Sequence, residues 1–335
     1  MYVASIYVGS RLMRTSFLAL ICMLALSSCQ MSKCDIDPHF NYTPPKRLAE
    51  YLDSPFPKLT LSEKATDWGK ELYLGKSFAR QMDLYRAITC FKSALFLIPK
   101  NLKSRRLEIE YDIFFSYYMA GKSHDAIDAF ETGELMNADG AFPPIKDLLI
   151  ALYDVYRQDN QPSKAIKVLG LISAMDGSCA DKLQLSTAIQ EGDIPALLPT
   201  QNEDEKECEN ESLAKFNANA FASTYLQEAK SVSKARTLNA ILPGAGYYYA
   251  GQKKAALTSF VINALFIGAS YQLFERGYIP CALILASLET GWYFGGINGA
   301  GLAVAEYNRN LYEKRGYDLL IDNKLYPLLM IQRGF

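Results

Sequence analysis

Between about Leu61 and residue 195 the apolar positions recur at the three-to-four-residue spacing of amphipathic helices. Three segments repeat one arrangement of small and large side chains. The first reads Leu74-Gly75-x-x-Phe78, then Ala87-x-x-x-Phe91-x-x-Ala94, then Pro99. The second carries Ile113, Tyr117, Gly121, Ala126, Phe130 and Gly133, and the third Leu152, Tyr156, Asn160, Ala165, Leu169 and Ile172. Small residues at Gly75 and Ala87 let two antiparallel helices approach, and Leu74, Phe78 and Phe91 fill the seam. Pro99 closes the second helix. Gly121 and Asn160 stand where the turn between helices needs a residue tolerant of positive φ. A capping helix is predicted over residues 183–190, and a polar helix over residues 212–242, ended by Pro243.

The pattern then changes. Residues 255–274 carry no charge, and residues 277–305 carry one acid, Glu289. The first stretch has about the 20 residues needed to span a bilayer core. The later helix places Gly291, Gly295, Gly299 and Ala303 four residues apart, a ridge suited to close packing in lipid. In water that many helical glycines would be costly, about 1 kcal/mol each against Ala.

The N-terminal part is of another kind. Arg11 and Arg14 precede an uncharged apolar stretch, residues 15–26, too short for a comfortable span. Residues 31–62 hold Pro38, Pro44, Pro45, Pro55 and Pro57 and read as a linker, with one short helix over residues 46–52. Pro195, Pro199 and the charged run at residues 203–207 mark an exposed boundary.

Three resemblances follow from these motifs. Leu26-Ser27-Ser28-Cys29 resembles the bacterial lipobox, which implies a diacylglycerol on the Cys29 thiol, cleavage before Cys29, and anchorage in the cell envelope. The helical units resemble tetratricopeptide repeats, although Glu71 stands where the family has Trp, and Phe114 and Tyr153 replace small residues. Pro243-Gly244-Ala245-Gly246-Tyr247-Tyr248-Tyr249-Ala250-Gly251, with the two apolar stretches after it, resembles the small two-helix transmembrane domains of bacterial membrane proteins. The predicted organisation is a signal peptide (1–28), a lipid-anchored linker (29–62), tetratricopeptide-like helical repeats (63–195), an acidic linker and polar helix (196–236), a membrane-associated helical domain (237–310) and a tail (311–335). The expected fold class is all-α, a repeat array followed by a membrane-associated α-helical hairpin.

Repeat stacking exposes a concave surface lined by the first helix of each pair. The repeat register places Tyr111, Phe115, Tyr118, Asp154 and Arg157 on it, and aromatics among charges suit a protein segment. Topology and membrane stay open. Two crossings return Arg309, Lys314 and Arg315 to the lipidated side, against the positive-inside tendency. A third, broken crossing over residues 238–250, or a hairpin that only dips into the bilayer, meets the charges differently. Gln30 after the Cys leans to the outer membrane, whereas helical spans favour the inner one.

Acid and base nearly cancel, 36 against 35, which argues against a nucleic-acid protein driven by bulk charge. The chain has two His, His39 and His124, and shows no nucleophile elbow, His-Glu-x-x-His helix or phosphate-binding loop. The cysteines show no paired metal knuckle; Cys179 and Cys208 could oxidise, and free thiols read as well. The expected function is therefore a non-catalytic envelope protein, without cofactor or metal, whose partners are membrane lipid and another envelope protein. The alternative is a membrane assembly or transport component that acts through its C-terminal helices.

Overall fold

The computed structural model describes residues 36–40, 42, 52–198 and 213–335. The export segment, Cys29, Cys208, the helix expected over residues 46–52 and the charged run at residues 203–207 lie outside the described residues. Among the described residues the protein is all-α, without a strand. It divides into two compact units. One contains Tyr225–Tyr312; the other is discontinuous, Pro38–Thr224 with Glu313–Phe335.

The discontinuous unit opens with α1 (Leu61–Ala65), held by a capping box in which Thr60 and Glu63 satisfy each other's backbone N–H. Three helix pairs follow: α2 (Asp67–Arg80) with α3 (Leu84–Leu97), α4 (Lys103–Met119) with α5 (Ser123–Thr132), and α6 (Ile145–Gln158) with α7 (Pro162–Met175). Each helix packs on the next in sequence, and α8 (Gly177–Glu191) packs on α7. The three turns inside the pairs are alike. Met82, Gly121 and Asn160, each 39 residues after the last, have φ of 60°, 66° and 55°. Beside them Asp83, Lys122 and Gln161 donate their backbone N–H to the carbonyls of Phe78, Tyr117 and Tyr156. That bond satisfies a carbonyl left over at the helix end. Gly121 and Asn160 were legible as turn residues. Met82 was not, because its side chain packs on the core and offsets the strain of a left-handed backbone.

The small positions face inward as the spacing predicts. Ala87, Ala126 and Ala165 are at most 1% exposed. A Cβ on Gly75 would stand 2.6 Å from the Phe91 ring. Ala87→Leu is expected to overpack this contact and cost about 1–3 kcal/mol, read by urea unfolding. No measurable cost would contradict the packing of α2 on α3.

The helices after α8, which run from the discontinuous unit into the other and back, correct several expectations. The helix predicted over residues 212–242 is broken into α10 (Leu213–Glu228) and α11 (Val232–Ile241), after the four-residue α9 (Ile194–Leu197). Asn308 explains the break: its side-chain oxygen accepts the Lys230 N–H at 2.9 Å, and its amide donates to the Lys230 carbonyl at 2.8 Å. Ser231 then caps α11, accepting from the Lys234 N–H. Next come α12 (Ala245–Ala250), α13 (Lys253–Glu275) and α14 (Ile279–Asp322). Gly246 lets α12 lie against its neighbours; a Cβ there would collide with the Ala235 carbonyl and with Ala300. The second apolar helix does not end near residue 305. It continues to Asp322, because residues 306–322 are rich in good helix formers such as Glu, Arg, Leu and Lys.

The glycine ridge does not join α13 to α14. Gly291 and Gly295 meet nothing within 4 Å of a built Cβ, and Gly299 lies against Tyr247 of α12. The side of α14 near Ser259 of α13 carries Gly296 instead. At 3.6 residues per turn, a four-residue spacing drifts around the helix, so the row from residue 291 leaves any single contact line. Gly295→Leu would therefore wedge nothing apart in this unit.

Candidate functional site

The helices α4 and α6, which carry the predicted groove residues, lie side by side. Tyr111, Phe115 and Tyr118 line the α4 side. The Tyr111 and Phe115 rings stack at 5.6 Å, and Tyr118 follows at 6.1 Å from Phe115. None of the three is open to solvent; Tyr111 and Phe115 are wholly buried. Phe56 and Phe142 close over Tyr111, with centroids at 5.7 and 6.0 Å. Phe115 is covered by Phe335, at 5.1 Å.

The chain itself thus fills this groove. After α14, the short helix α15 (Pro327–Met330) packs on α6, and residues 331–335 run on extended. Leu328, Ile331 and Phe335 are buried in the same core as the three helix pairs, and Phe335 also stacks on Phe91 at 6.2 Å. The Gln332 N–H donates to Asp147 Oδ1 at 2.9 Å, and the Gly334 N–H to the Asp53 carbonyl at 3.0 Å. Arg333 forms a parallel bridge with Asp53. Tyr326 stacks on Tyr42 at 4.7 Å. The sequence placed residues 311–335 outside the predicted repeats as a tail; residues 313–335 fold into the discontinuous unit with the three helix pairs.

The polar end of the groove is less filled. A cavity of about 190 Å³ is lined by Tyr153, Asp154, Arg157, Thr187, Gln190 and Pro327 of α15. The Tyr118 hydroxyl donates to Asp154 Oδ2 at 2.9 Å. Burial pushes the Asp154 carboxyl up to about 6, opposed by the bond from Tyr118. Arg157 pairs with Glu191 of α8. All five predicted groove residues therefore belong to one region, three in its aromatic floor and two at its polar rim.

Sequence reasoning missed an ionic cluster behind that floor. Lys76 reaches Glu108 at 2.7 Å and Asp112 at 3.5 Å. Arg105 holds Glu108 at 2.6 Å and Glu63 at 2.9 Å. Asp112 is wholly buried, and neither of its oxygens has a hydrogen bond. Burial pushes its carboxyl up to about 7, against the pull of Lys76. The available signal was the run of acids Glu108, Glu110 and Asp112 inside an otherwise apolar stretch of α4.

No protein-family model, curated protein or solved structure matches the chain. Among the described residues, no three His, Cys, Asp or Glu gather as metal ligands, and Cys90, Cys179 and Cys281 are free thiols. The groups that meet the C-terminal segment are aromatic rings at Phe91 and Phe115, the Asp147 carboxylate and the Asp53 carbonyl.

A second surface lies in the other unit. An 18-residue window of α13 has a mean hydropathy of 1.4, and only 6% of it is buried. Leu257, Leu265 and Ile267 on α13, and Leu283, Ile284 and Leu288 on α14, are all more than half exposed. A core helix of a soluble protein would bury these side chains.

Proposed function

We propose that this protein is a non-catalytic, lipid-anchored scaffold of the bacterial cell envelope, whose tetratricopeptide-like groove binds a segment of another envelope protein. The observation that carries the reading is the groove's content: its aromatic floor and acidic rim already hold an extended chain segment by side-chain pockets and backbone bonds, a recurring mode of peptide recognition. The test is co-purification of the tagged full-length chain from detergent extracts. Arg157→Ala alters a partly exposed side chain, whereas Asp154→Ala also removes the acceptor of the Tyr118 hydroxyl, so circular dichroism first checks that both variants keep their helices. Captured partners should be lost or weakened about tenfold, the scale of one interface anchor. Partners captured equally by both variants would end the groove reading.

The membrane part of the proposal rests on the exposed apolar sides of α13 and α14, read as a membrane-associated hairpin, and on the lipobox-like end of the signal. Cys29→Ala should abolish labelling by a fed fatty acid. The unlipidated protein should still resist carbonate extraction, because about 20 apolar residues hold a helix in the bilayer without a lipid chain. Label that persists removes Cys29 as the acceptor; a protein that extracts as soluble removes the hairpin from the membrane.

One observation favours the alternative, a membrane assembly or transport component. Glu289 on α14 is 8% exposed, and neither of its oxygens has a hydrogen-bond partner; Ser259, Asn263 and Ser270 on α13 are buried with an unpartnered side-chain oxygen as well. Polar groups inside apolar helices are expensive and mark functional positions in membranes. Glu289→Gln keeps the shape and removes the acid. Loss of the cellular phenotype with groove partners still bound would favour this alternative.

A further inference from the structure

We infer that residues 325–335 are the groove's resident ligand, exchanged for a partner segment with the same apolar spacing. This rests on the groove reading and adds what the groove recognises and what holds it closed. Leu328, Ile331 and Phe335 enter the core at spacings of three and four, while Gln332 and Arg333 between them stay exposed. Its backbone meets the rest of the unit near the end, where Gln332 donates to Asp147, Gly334 donates to the Asp53 carbonyl and Arg333 bridges Asp53. That is how a bound peptide is held: alternate pockets give specificity, and backbone bonds give register. Asp147, in the first turn of α6, turns its carboxylate to the Gln332 N–H. Burial raises its carboxyl, and the bond from Gln332 acts in the opposite direction.

The connection permits exchange. Lys324, exposed and at φ 52°, forms the turn between α14 and the segment, so the segment can leave while α14 stays whole. A ligand joined by so short a tether acts at an effective concentration on the order of mM. An external segment at about µM concentration cannot compete until the tether's advantage is removed. The partner this groove fits therefore presents a segment that begins with a helical turn and continues as open chain, with Leu, Ile and Phe, or like side chains, at positions 1, 4 and 8 of an eight-residue run, numbered as Leu328, Ile331 and Phe335.

A protease site inserted at Lys324 tests this on the purified full-length chain in detergent. The probe is a fluorescent synthetic peptide with the sequence of residues 325–335. After cleavage, the protein should bind it with an apparent Kd at least about 100-fold lower than before cleavage. A probe carrying Phe335→Ala should bind at least about tenfold more weakly. The inference is overturned if the cleaved segment stays through dilution and the probe never enters, or if cleavage unfolds the helices by circular dichroism. Either result makes residues 325–335 permanent core. Equal binding of both probes also overturns it. Because the readout uses no envelope partner, failure to capture one would count against the proposed function without touching this result.

Discussion

Phe115→Ala is expected to cost the discontinuous unit about 3–5 kcal/mol, the range for a fully buried Phe. Phe115 has no exposure, and its ring meets Tyr111, Tyr118 and Phe335 at 5.6, 6.1 and 5.1 Å. Two terms add: the apolar surface no longer removed from water, and a cavity that α4 cannot close because it is packed on every side. The second term is large where the site cannot collapse, and the bonds of Glu108 to Lys76 and Arg105 and of Glu110 to the Leu135 N–H hold α4 in place. The measurement is urea unfolding followed by Trp68, which is 5% exposed on α2, in a Trp292→Phe background that silences the other Trp. Phe96→Ala is the control: that ring is 89% exposed, and its loss should be within about 0.5 kcal/mol of neutral. A Phe115→Ala cost below about 1 kcal/mol would mean that the groove floor is loosely packed.

Stability of the same unit is expected to fall as pH rises from about 4 to about 7. Asp112 sets the sign. Its carboxyl is pushed from 3.8 up to about 7 in the folded protein, so the native state binds a proton that the unfolded chain has already released. The stabilisation is complete below the unfolded value and is lost as pH climbs through the folded one. One such proton contributes a slope of up to about 1.4 kcal/mol per pH unit. Lys76, Glu108 and Arg80 are the charged groups that act on it. With Asp112 protonated, Lys76 and Arg105 balance Glu108 and Glu63. Asp154 adds to the trend up to about 6, and burial raises Glu110 and Asp147 in the same direction. Glu63, lowered to about 2 by Arg105, opposes them only at the acid end. Asp112→Asn should flatten the slope and leave the variant at least as stable as the parent at about pH 8. A slope unchanged by Asp112→Asn would assign the linkage to other groups.

The site was half legible. Tyr111, Phe115 and Tyr118 follow from the helical register alone, and the structure gathers them on one face with Asp154 and Arg157 nearby. For Tyr111 and Phe115 a place in the core read nearly as well as a place on the groove, and what covers them was not legible: Phe335, 220 residues from Phe115, and Phe56 and Phe142 over Tyr111. Lys76 and Asp112 were hidden for the same reason: charge in an apolar stretch reads as a solvated stripe until α2 and α4 are seen to bury it.

The sequence by itself determined the local structure. It set the helix pairs, the small positions at Ala87, Ala126 and Ala165, and the turns at Gly121 and Asn160. These depend on side-chain size, backbone freedom and a 3.6-residue period, all of which act within a few residues. The tertiary structure decided what those faces meet. It broke one predicted helix through Asn308, 78 residues from its partner Lys230. It turned Gly291 and Gly295 to open space. It also carried residues 325–335 back to Asp147 and into the groove, with 185 residues separating Gln332 from Asp147. Such pairings are set by shape and by unsatisfied polar groups that only a folded chain brings together, and spacing along the chain holds no record of them.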